Sequence, residues 1–340
     1  MTLEPPARST PAGHAARAAQ LARSPMARAL AALAVIVLLG CVFHQHGAFY
    51  RWSTHQQVLR EVAVNGILAC GMTLVIVTAG IDLSVGSVLA LGAVGFATLT
   101  LTAGQSALLA IPVVLAAGAL LGAANGALVS VTRIQPFVVT LASMVFARGL
   151  AKRLASGKKV TSYAIGPDGV GHSNPLPAIF DWLDTRILGG TISIVTLVFL
   201  ACVAVTWFVL ARTTLGRHLY AVGGSLEAAR LSGVPTRRVT TIAYALSGLF
   251  AALAGICQAA QETQGDPETG LGYELDAIAM VVIGGTPLRG GKGGVGLTLV
   301  GALTIGYLQK VLSINAFALE TRLMLTGVII LGAVLFQRGR

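Results

Sequence analysis

Long runs of apolar residues recur along the whole of this 340-residue chain. A helix needs about 20 apolar residues to cross the hydrocarbon core of a bilayer. Only 11% of the residues are charged, whereas a soluble domain carries about 25%. The pattern therefore predicts an all-α polytopic membrane protein embedded in a lipid bilayer. Ten spans are predicted, at 29–43, 62–80, 82–103, 107–131, 136–155, 191–211, 241–260, 274–286, 294–312 and 320–337.

The distribution of charged residues predicts how these spans are oriented. Lys and Arg are enriched in the cytoplasmic loops of membrane proteins. The segment 212–240 holds five arginines and one acid, whereas the segment 261–276 holds five acids and no cation. Ten spans with both termini in the cytoplasm place the first segment inside and the second outside. The outer segment 156–190 keeps three cations against this rule. The same rule explains the net charge of +11 without a nucleic-acid partner.

The chain is predicted to divide into a tail and one membrane domain. Residues 1–28 are rich in Ala, Arg and Pro and are predicted to form a disordered cytoplasmic tail. Residues 29–337 are predicted to form one transmembrane domain. Its first apolar run resembles a signal peptide, but the preceding leader is long and no clear cleavage site follows. We therefore interpret this run as an uncleaved first span.

The two halves of the chain show a weak internal similarity at an offset of 180 residues. Five spans in each half would give the halves opposite orientations, as in many transporters. Chance matching between apolar residues explains the similarity equally well. The matches are Gly126, Leu128, Val131, Ile134 and Phe137 with Gly306, Leu308, Val311, Ile314 and Phe317.

The basic segment 212–240 contains the signal of a short helix. Ser225 is a preferred N-cap residue, Glu227 lies in the first turn, and Gly233 followed by Pro235 ends the helix. A capped helix between two spans indicates a surface that docks on another protein, whereas a plain solvated loop would also explain the arginines. In the docking interpretation, small residues allow close approach, leucines act as anchors and flanking charges set the orientation. The residues concerned are Ser225, Leu226, Glu227, Ala228, Ala229, Arg230, Leu231 and Gly233.

Asp82 interrupts the apolar sequence between the second and third spans. A carboxylate at this position is costly unless it is partnered or hydrated. In one interpretation Asp82 and Ser84 cap the third span, because acids and serines are favourable at helix N-termini. In the other, the break flanked by Gly80 and Gly86 lines a polar pathway. The two interpretations are compatible.

The sequence contains no convincing motif for catalysis, metal binding or nucleotide binding. The glycine-rich stretch around Lys292 fails the phosphate-loop pattern, because Thr286 replaces the first glycine and Gly293 replaces the Ser or Thr that follows the lysine. The four cysteines and six histidines show no metal-binding spacing. We therefore predict a tight turn between helices around Lys292, and neither enzymatic activity nor a cofactor in this chain.

Four stretches, in order, resemble the permease subunits of bacterial ribose-type monosaccharide ABC importers, the family of ribose, xylose, arabinose and galactoside permeases. The resemblance covers about residues 55–337. It implies a type II ABC importer permease fold in the bacterial inner (plasma) membrane. It also implies three partners, namely a second permease subunit, cytoplasmic ATPase subunits that bind the ATP, and a periplasmic sugar-binding protein. The stretches are GMTLVIVTAGIDLSVGS, IQPFVVTLASMVFARG, GRHLYAVGGSLEAARLSGV and GYELDAIAMVVIGGTPLRGGKG.

The resemblance also assigns functions to particular segments. It identifies residues 225–233 as the coupling helix that docks on the ATPase, and it implies a pathway for a monosaccharide through the spans. A neutral, hydroxyl-rich substrate needs only a weakly polar lining. Neither the sugar nor the choice between a homodimer and a heterodimer follows from the sequence. The residues assigned to the lining are Asn65, Thr73, Asp82, Ser84, Ser87, Phe137 and Thr140.

Two other classes of membrane protein are weighed against this interpretation. A secondary transporter or channel for a small polar solute would fit an inverted repeat, but it has no need of a capped docking helix in the segment 212–240. A membrane-embedded enzyme would need His, Asp or Glu clustered at catalytic spacing, and the sequence shows no such cluster.

Overall fold

The computed structural model describes residues 24–132, 134–165, 171–173, 175–187 and 189–338, and most of these residues are helical. We number the described helices in chain order. They are α1 (Pro25–Val42), α2 (Trp52–Val77), α3 (Val85–Ala97), α4 (Ala107–Thr132), α5 (Pro136–Leu154), α6 (Ala178–Asp184), α7 (Ile194–Arg212), α8 (Thr214–Gly224), α9 (Leu226–Leu231), α10 (Thr236–Glu262), α11 (Tyr273–Ile283), α12 (Val295–Ile314) and α13 (Leu319–Arg338).

Seven of the described helices are long and apolar enough to cross a membrane. They are α1, α2, α3 with the π-helical turn that continues it, α4, α7, α10 and α12. The other three predicted spans coincide with α5, α11 and α13, and α11 has only 11 residues. The largest boundary error is at α2, which begins ten residues before its predicted start at 62. This error arises because the helix continues through polar residues beyond the apolar run.

The helix α10 occupies the centre of the bundle, where it packs along α4 and also contacts α3 and α2. Glycines make the contact with α4 close. A Cβ atom at Gly118 or at Gly122 would overlap the backbone of α10. Small residues at such crossings are typical of membrane proteins, because helices in lipid are held together by close packing rather than by the hydrophobic effect.

The first helix begins earlier than the sequence indicates. Ser24 is its N-cap residue and accepts a hydrogen bond from the amide of Ala27 at 3.1 Å. Pro25 occupies the first turn, where its missing N–H costs no hydrogen bond. The prediction of a disordered tail over 1–28 is therefore wrong for residues 25–28. Residues 1–23 lie outside the described part of the chain.

The segment between α5 and α7 contains strands as well as a helix, so the all-α prediction is wrong for this segment. It contains two short antiparallel hairpins on either side of α6. Phe180 on α6 is fully buried and stacks on Phe96 of α3, with ring centroids 5.2 Å apart. The described part of this segment thus pairs backbone groups in its hairpins and packs against α3 through Phe180. The strands are β1 (Tyr163–Ile165), β2 (Gly171–Ser173), β3 (Arg186–Ile187) and β4 (Ile192–Ser193).

Candidate functional site

The candidate site surrounds residues 78–84, the break between α2 and α3. Ala79 adopts a left-handed backbone conformation there, with φ of 61°. The carbonyl of Ile81 accepts hydrogen bonds from the hydroxyl of Tyr244 on α10 at 3.2 Å and from that of Thr140 on α5 at 3.4 Å. Backbone groups freed from a helix inside a membrane protein need such partners. The unwound turn is therefore held by two neighbouring helices.

Asp82 lies fully buried in this break. Its Oδ1 accepts hydrogen bonds from the backbone amide of Ser84 at 3.0 Å and from the Ser84 hydroxyl at 2.6 Å. Its Oδ2 accepts one from the Ser247 hydroxyl at 2.9 Å, and the Asn125 side-chain amide donates to Ser84 Oγ at 3.1 Å. The carboxylate thus links the break to α4 and α10.

This network corrects part of the capping interpretation. Asp82 does bind a backbone amide just ahead of α3. Ser84 is the N-cap residue of α3, but its side chain binds no helical amide, because its hydroxyl donates to Asp82 instead. The complete burial of Asp82, with hydrogen bonds to both oxygens, favours a role in positioning the break over direct contact with a substrate.

Two predicted pathway residues lie along α2, away from the break. Thr73 Oγ1 is buried and hydrogen-bonds Thr298 Oγ1 on α12 at 2.7 Å. Asn65, two turns earlier, is half-buried, and its amide lies 3.5 Å from Oδ2 of Asp276 on α11. The side-chain amide of Gln309 on α12 lies near the Asp276 carboxylate. A second polar group therefore lies where α2, α11 and α12 meet.

The remaining predicted pathway residues do not all lie in the same place in the structure. Ser87 and Thr140 are both buried, Ser87 in the first turn of α3 and Thr140 against the carbonyl of Ile81. They join Asp82 around the break. Phe137 instead is 45% exposed on the surface of α5, so the structure does not bring it to the other predicted residues.

Asp276, Asn125, Ser247 and Thr298 belong to these polar groups, but sequence analysis did not single them out as pathway residues. Each depends on a contact across the bundle that no local pattern records. The available signal was polarity within an apolar run, which is costly in lipid. The Asn65 Oδ1 atom is buried and has no hydrogen-bond partner among the described residues. An unpaired acceptor of this kind can accept a hydrogen bond from a ligand that is rich in hydroxyl groups.

Polar contacts connect the acidic segment 261–276 to α5 and to the residues that follow α5. Arg148 Nη1 donates to the carbonyl oxygens of two residues in this segment, both at 2.6 Å. Lys152 and Lys159 form ion pairs with two of its acids at 2.7 and 2.9 Å. Burial by itself raises the pKa of Asp266, but a neighbouring amide and the Lys159 ammonium outweigh it and hold that pKa below its ordinary value. Charged contacts thus close this end of the bundle.

The predicted docking helix is present as α9. Ser225 is its N-cap residue, and the Ser225 hydroxyl accepts a hydrogen bond from the amide of Ala228 at 3.2 Å. Gly233 follows the last turn with φ of 79°, a conformation that glycine adopts without strain. The cap and the stop signal read from the sequence therefore both operate.

The exposed face of α9 differs from the predicted one at a single residue. Leu231 is 83% exposed and Leu226 is 59% exposed, as anchors for a partner must be. The side chains of Glu227, Ala228 and Arg230 are also exposed. Ala229 is only 5% exposed and packs into the core of the chain itself. Its assignment to the docking surface is therefore wrong, because the helix turns this residue inward.

The helix α8, which leads into α9, lies directly against the end of α2. A Cβ atom at Gly223 would overlap the carbonyl of Val77 and the amide of Gly291. The Gly291 amide donates to the Val77 carbonyl at 2.9 Å, and the Tyr220 hydroxyl donates to the carbonyl of Gly293 at 2.9 Å. Three segments thus meet beside the break, namely α8, the end of α2 and the glycine-rich turn between α11 and α12.

The described residues offer no group of three His, Cys, Asp or Glu side chains that could hold a metal ion. The stretch around Lys292 forms the tight turn between helices that its sequence predicts. Its glycines adopt positive φ, 74° at Gly290 and 109° at Gly293, and they pack against the protein's own backbone and side chains.

Residues 55–334 match the family described as branched-chain amino acid transport system / permease component. The chain is 40% identical to the ribose import permease protein RbsC of Escherichia coli strain K12 over 308 residues, which are 89% of this chain and 91% of the relative. It is 40% identical to RbsC of Bacillus subtilis strain 168 over 83% of each chain. The galactofuranose transporter permease protein YtfT of Escherichia coli strain K12 is 38% identical over 83% of this chain and 79% of the relative. No solved structure matches the chain.

Proposed function

Because the chain belongs to the ABC transporter permease family that includes the ribose import permeases, we propose that it carries a monosaccharide delivered by a periplasmic binding protein across the inner membrane. It is a transport subunit rather than an enzyme, and separate ATPase subunits hydrolyse the ATP. The observation that carries the substrate class is the 40% identity to a ribose import permease over 91% of that relative.

The experiment that tests this function is a transport assay with the complete importer. The permease would be reconstituted into vesicles with its ATPase and binding protein, and uptake of labelled ribose, galactose and fructose would be measured. We expect uptake of one of these sugars to require both the binding protein and hydrolysable ATP. Uptake that follows an ion gradient without ATP would instead support the secondary transporter.

We infer that the group formed by Asn65, Asp276 and Gln309 contacts the sugar. It combines a carboxylate, which accepts from hydroxyls, with amides that donate and accept. Asp276 lies in the first turn of α11, at the end of the acidic segment, where a substrate from the outer side would arrive. Asp82 does not contact the sugar in this proposal, because both of its carboxylate oxygens already accept hydrogen bonds from the protein. Its network instead positions the break between α2 and α3.

Replacing Asp276 with alanine should lower sugar uptake by about tenfold or more, because a hydrogen bond to a charged group contributes about 1.5–3 kcal/mol. Uptake and retention of the ATPase subunits would be measured together. Glu320→Gln, a change at an exposed acid on α13, is the control and should leave uptake unchanged. Wild-type uptake in Asp276→Ala would remove this group from the pathway.

We propose that the remaining helices α5, α11 and α13 also cross the membrane, which makes ten spans with both termini in the cytoplasm. The arginines of the segment 212–240 and the acids of the segment 261–276 support this orientation. Five spans in each half would allow the inverted repeat. In the importer, two permease subunits would pair to enclose the pathway, as the family resemblance implies.

Cysteine labelling of intact cells tests this topology. In a variant cleared of its four native cysteines, Ser225→Cys should resist a membrane-impermeant thiol reagent, and Leu271→Cys in the acidic segment should react. Both positions are exposed in the structure, so a difference between them reports the side of the membrane. Strong labelling at position 225 would contradict the proposed orientation.

We propose that α9 docks on the ATPase and that α8 carries its movement to the break. The exposed Leu226 and Leu231 supply the docking face. The close backbone contact of Gly223 with Val77 joins α8 to the end of α2. A movement of α8 therefore displaces the end of α2. Alternating access follows if ATP binding favours one position of this joined unit over the other.

A further inference from the structure

A cleft opens on the side of the bundle between α4 and α5. Its volume is about 290 Å³, and its lining side chains are apolar apart from that of Thr98. Glycines of α3 and α4 form part of its wall. The rim residues Val113, Leu150 and Leu154 are between 37% and 47% exposed. The cleft therefore faces sideways, toward the lipid that surrounds a membrane-spanning chain.

We propose that this cleft binds one anionic phospholipid, with an acyl chain between α4 and α5 and the phosphate beside Arg153 and Lys158. An apolar cavity of about 150 Å³ is large enough for benzene and excludes water, and this cleft has about twice that volume. An empty cleft would leave the atoms of its wall without dispersion partners. An acyl chain supplies those contacts and needs no hydrogen bonds in return.

The one polar side chain in the lining has a spare hydrogen-bonding group. Thr98 Oγ1 is buried and has no partner among the described residues. In contrast, the neighbouring Thr100 donates to the carbonyl of Phe96 at 2.7 Å. Thr98 begins the π-helical turn at the end of α3, close to the outer end of the proposed span. Its hydroxyl can therefore donate to an ester carbonyl of the lipid.

The charges near the rim complement a phosphate group. Leu150, Arg153 and Leu154 share one face of α5, because residues three and four apart on a helix are neighbours. Arg153 and Lys158, which follows the end of α5 by four residues, are exposed and form no ion pair within the described part of the chain, whereas Lys152 pairs with an acid. Unpaired cations on the predicted outer side run against the positive-inside rule, and an anionic headgroup accounts for them.

The test measures lipid bound to the full-length permease by native mass spectrometry in mild detergent, with added phosphatidylglycerol or phosphatidylethanolamine. Gly95→Leu fills the cleft, since a Cβ atom at Gly95 makes only an ordinary contact of 3.6 Å with Val114. Gly149→Leu is the matched control, because Gly149 lies on an open face of α5 with nothing nearby. Arg153→Gln removes the charge, and Arg186→Gln removes an exposed arginine elsewhere in the predicted outer segment.

We expect the wild type, Gly149→Leu and Arg186→Gln to hold one phosphatidylglycerol each, and Gly95→Leu to bind it about tenfold more weakly. Arg153→Gln should lose the preference for phosphatidylglycerol over phosphatidylethanolamine. Undiminished lipid in Gly95→Leu would overturn the proposal, as would a wild type without lipid or an unchanged preference in Arg153→Gln. A change of oligomeric state in Gly95→Leu without loss of lipid would also overturn it and assign the cleft to a second copy of the chain. If Gly95→Leu does not fold, Ala117→Phe fills the same cleft from an exposed position.

Discussion

Replacing Asp82 with alanine should abolish sugar uptake and lower the stability of the permease, whereas Asp82→Asn should retain most of the uptake. Alanine leaves the Ser84 amide and the hydroxyls of Ser84 and Ser247 without their acceptor. Each buried group left unsatisfied costs about 1–3 kcal/mol. Asparagine keeps an oxygen for Ser84, and its amide can donate to the Ser247 hydroxyl, which is able to accept.

The measurements are ATP-driven uptake in reconstituted vesicles and the temperature of thermal unfolding. Asp181→Ala, which removes an exposed acid from α6, is the control and should change neither. If Asp82→Asn abolished uptake while the protein folded normally, the negative charge itself would serve the pathway. That outcome would contradict the positioning role inferred from the burial of this carboxylate.

Changing Leu231 to aspartate should release the ATPase subunits from the permease. Leu231 is 83% exposed at the end of α9, so the substitution leaves the permease fold intact. At a docked interface it would remove an apolar anchor and bury an unpaired charge, and anchors of this kind contribute about 2 kcal/mol or more to binding. We expect at least about tenfold weaker association. ATPase retained on the purified permease and hydrolysis stimulated by the loaded binding protein would be measured.

A leucine at the opposite end of the bundle provides the control. Leu271 is 62% exposed in the acidic segment, and Leu271→Asp should leave ATPase retention unchanged. Enlarging Ala229 would be a poor test of docking, because this residue packs inside the permease and a larger side chain would disturb the fold directly. Full retention and full stimulation in Leu231→Asp would return the segment 212–240 to a plain solvated loop.

The helix α9 shows which features follow from the local sequence. The cap at Ser225 and the stop at Gly233 are local backbone chemistry, so the residues themselves specify them. The break at Asp82 is local in the same sense, because a carboxylate and its flanking glycines interrupt an apolar run. The apolar runs themselves located the helices, and four stretches of sequence identified the family.

Which faces of these helices meet depends instead on tertiary packing. In a soluble protein, apolar residues mark the buried face of a helix, but in a membrane protein apolar residues face both the lipid and the core. Hydrophobic periodicity therefore did not show that Phe137 is exposed. The six residues of α9 are too few for a periodicity to show that Ala229 turns inward. Periodicity also did not show that Asn65 lies beside Asp276 or that Asp82 is hydrogen-bonded to Ser247. These pairings join residues more than 160 positions apart, and the packing of small residues between helices, rather than any local pattern, brings them together.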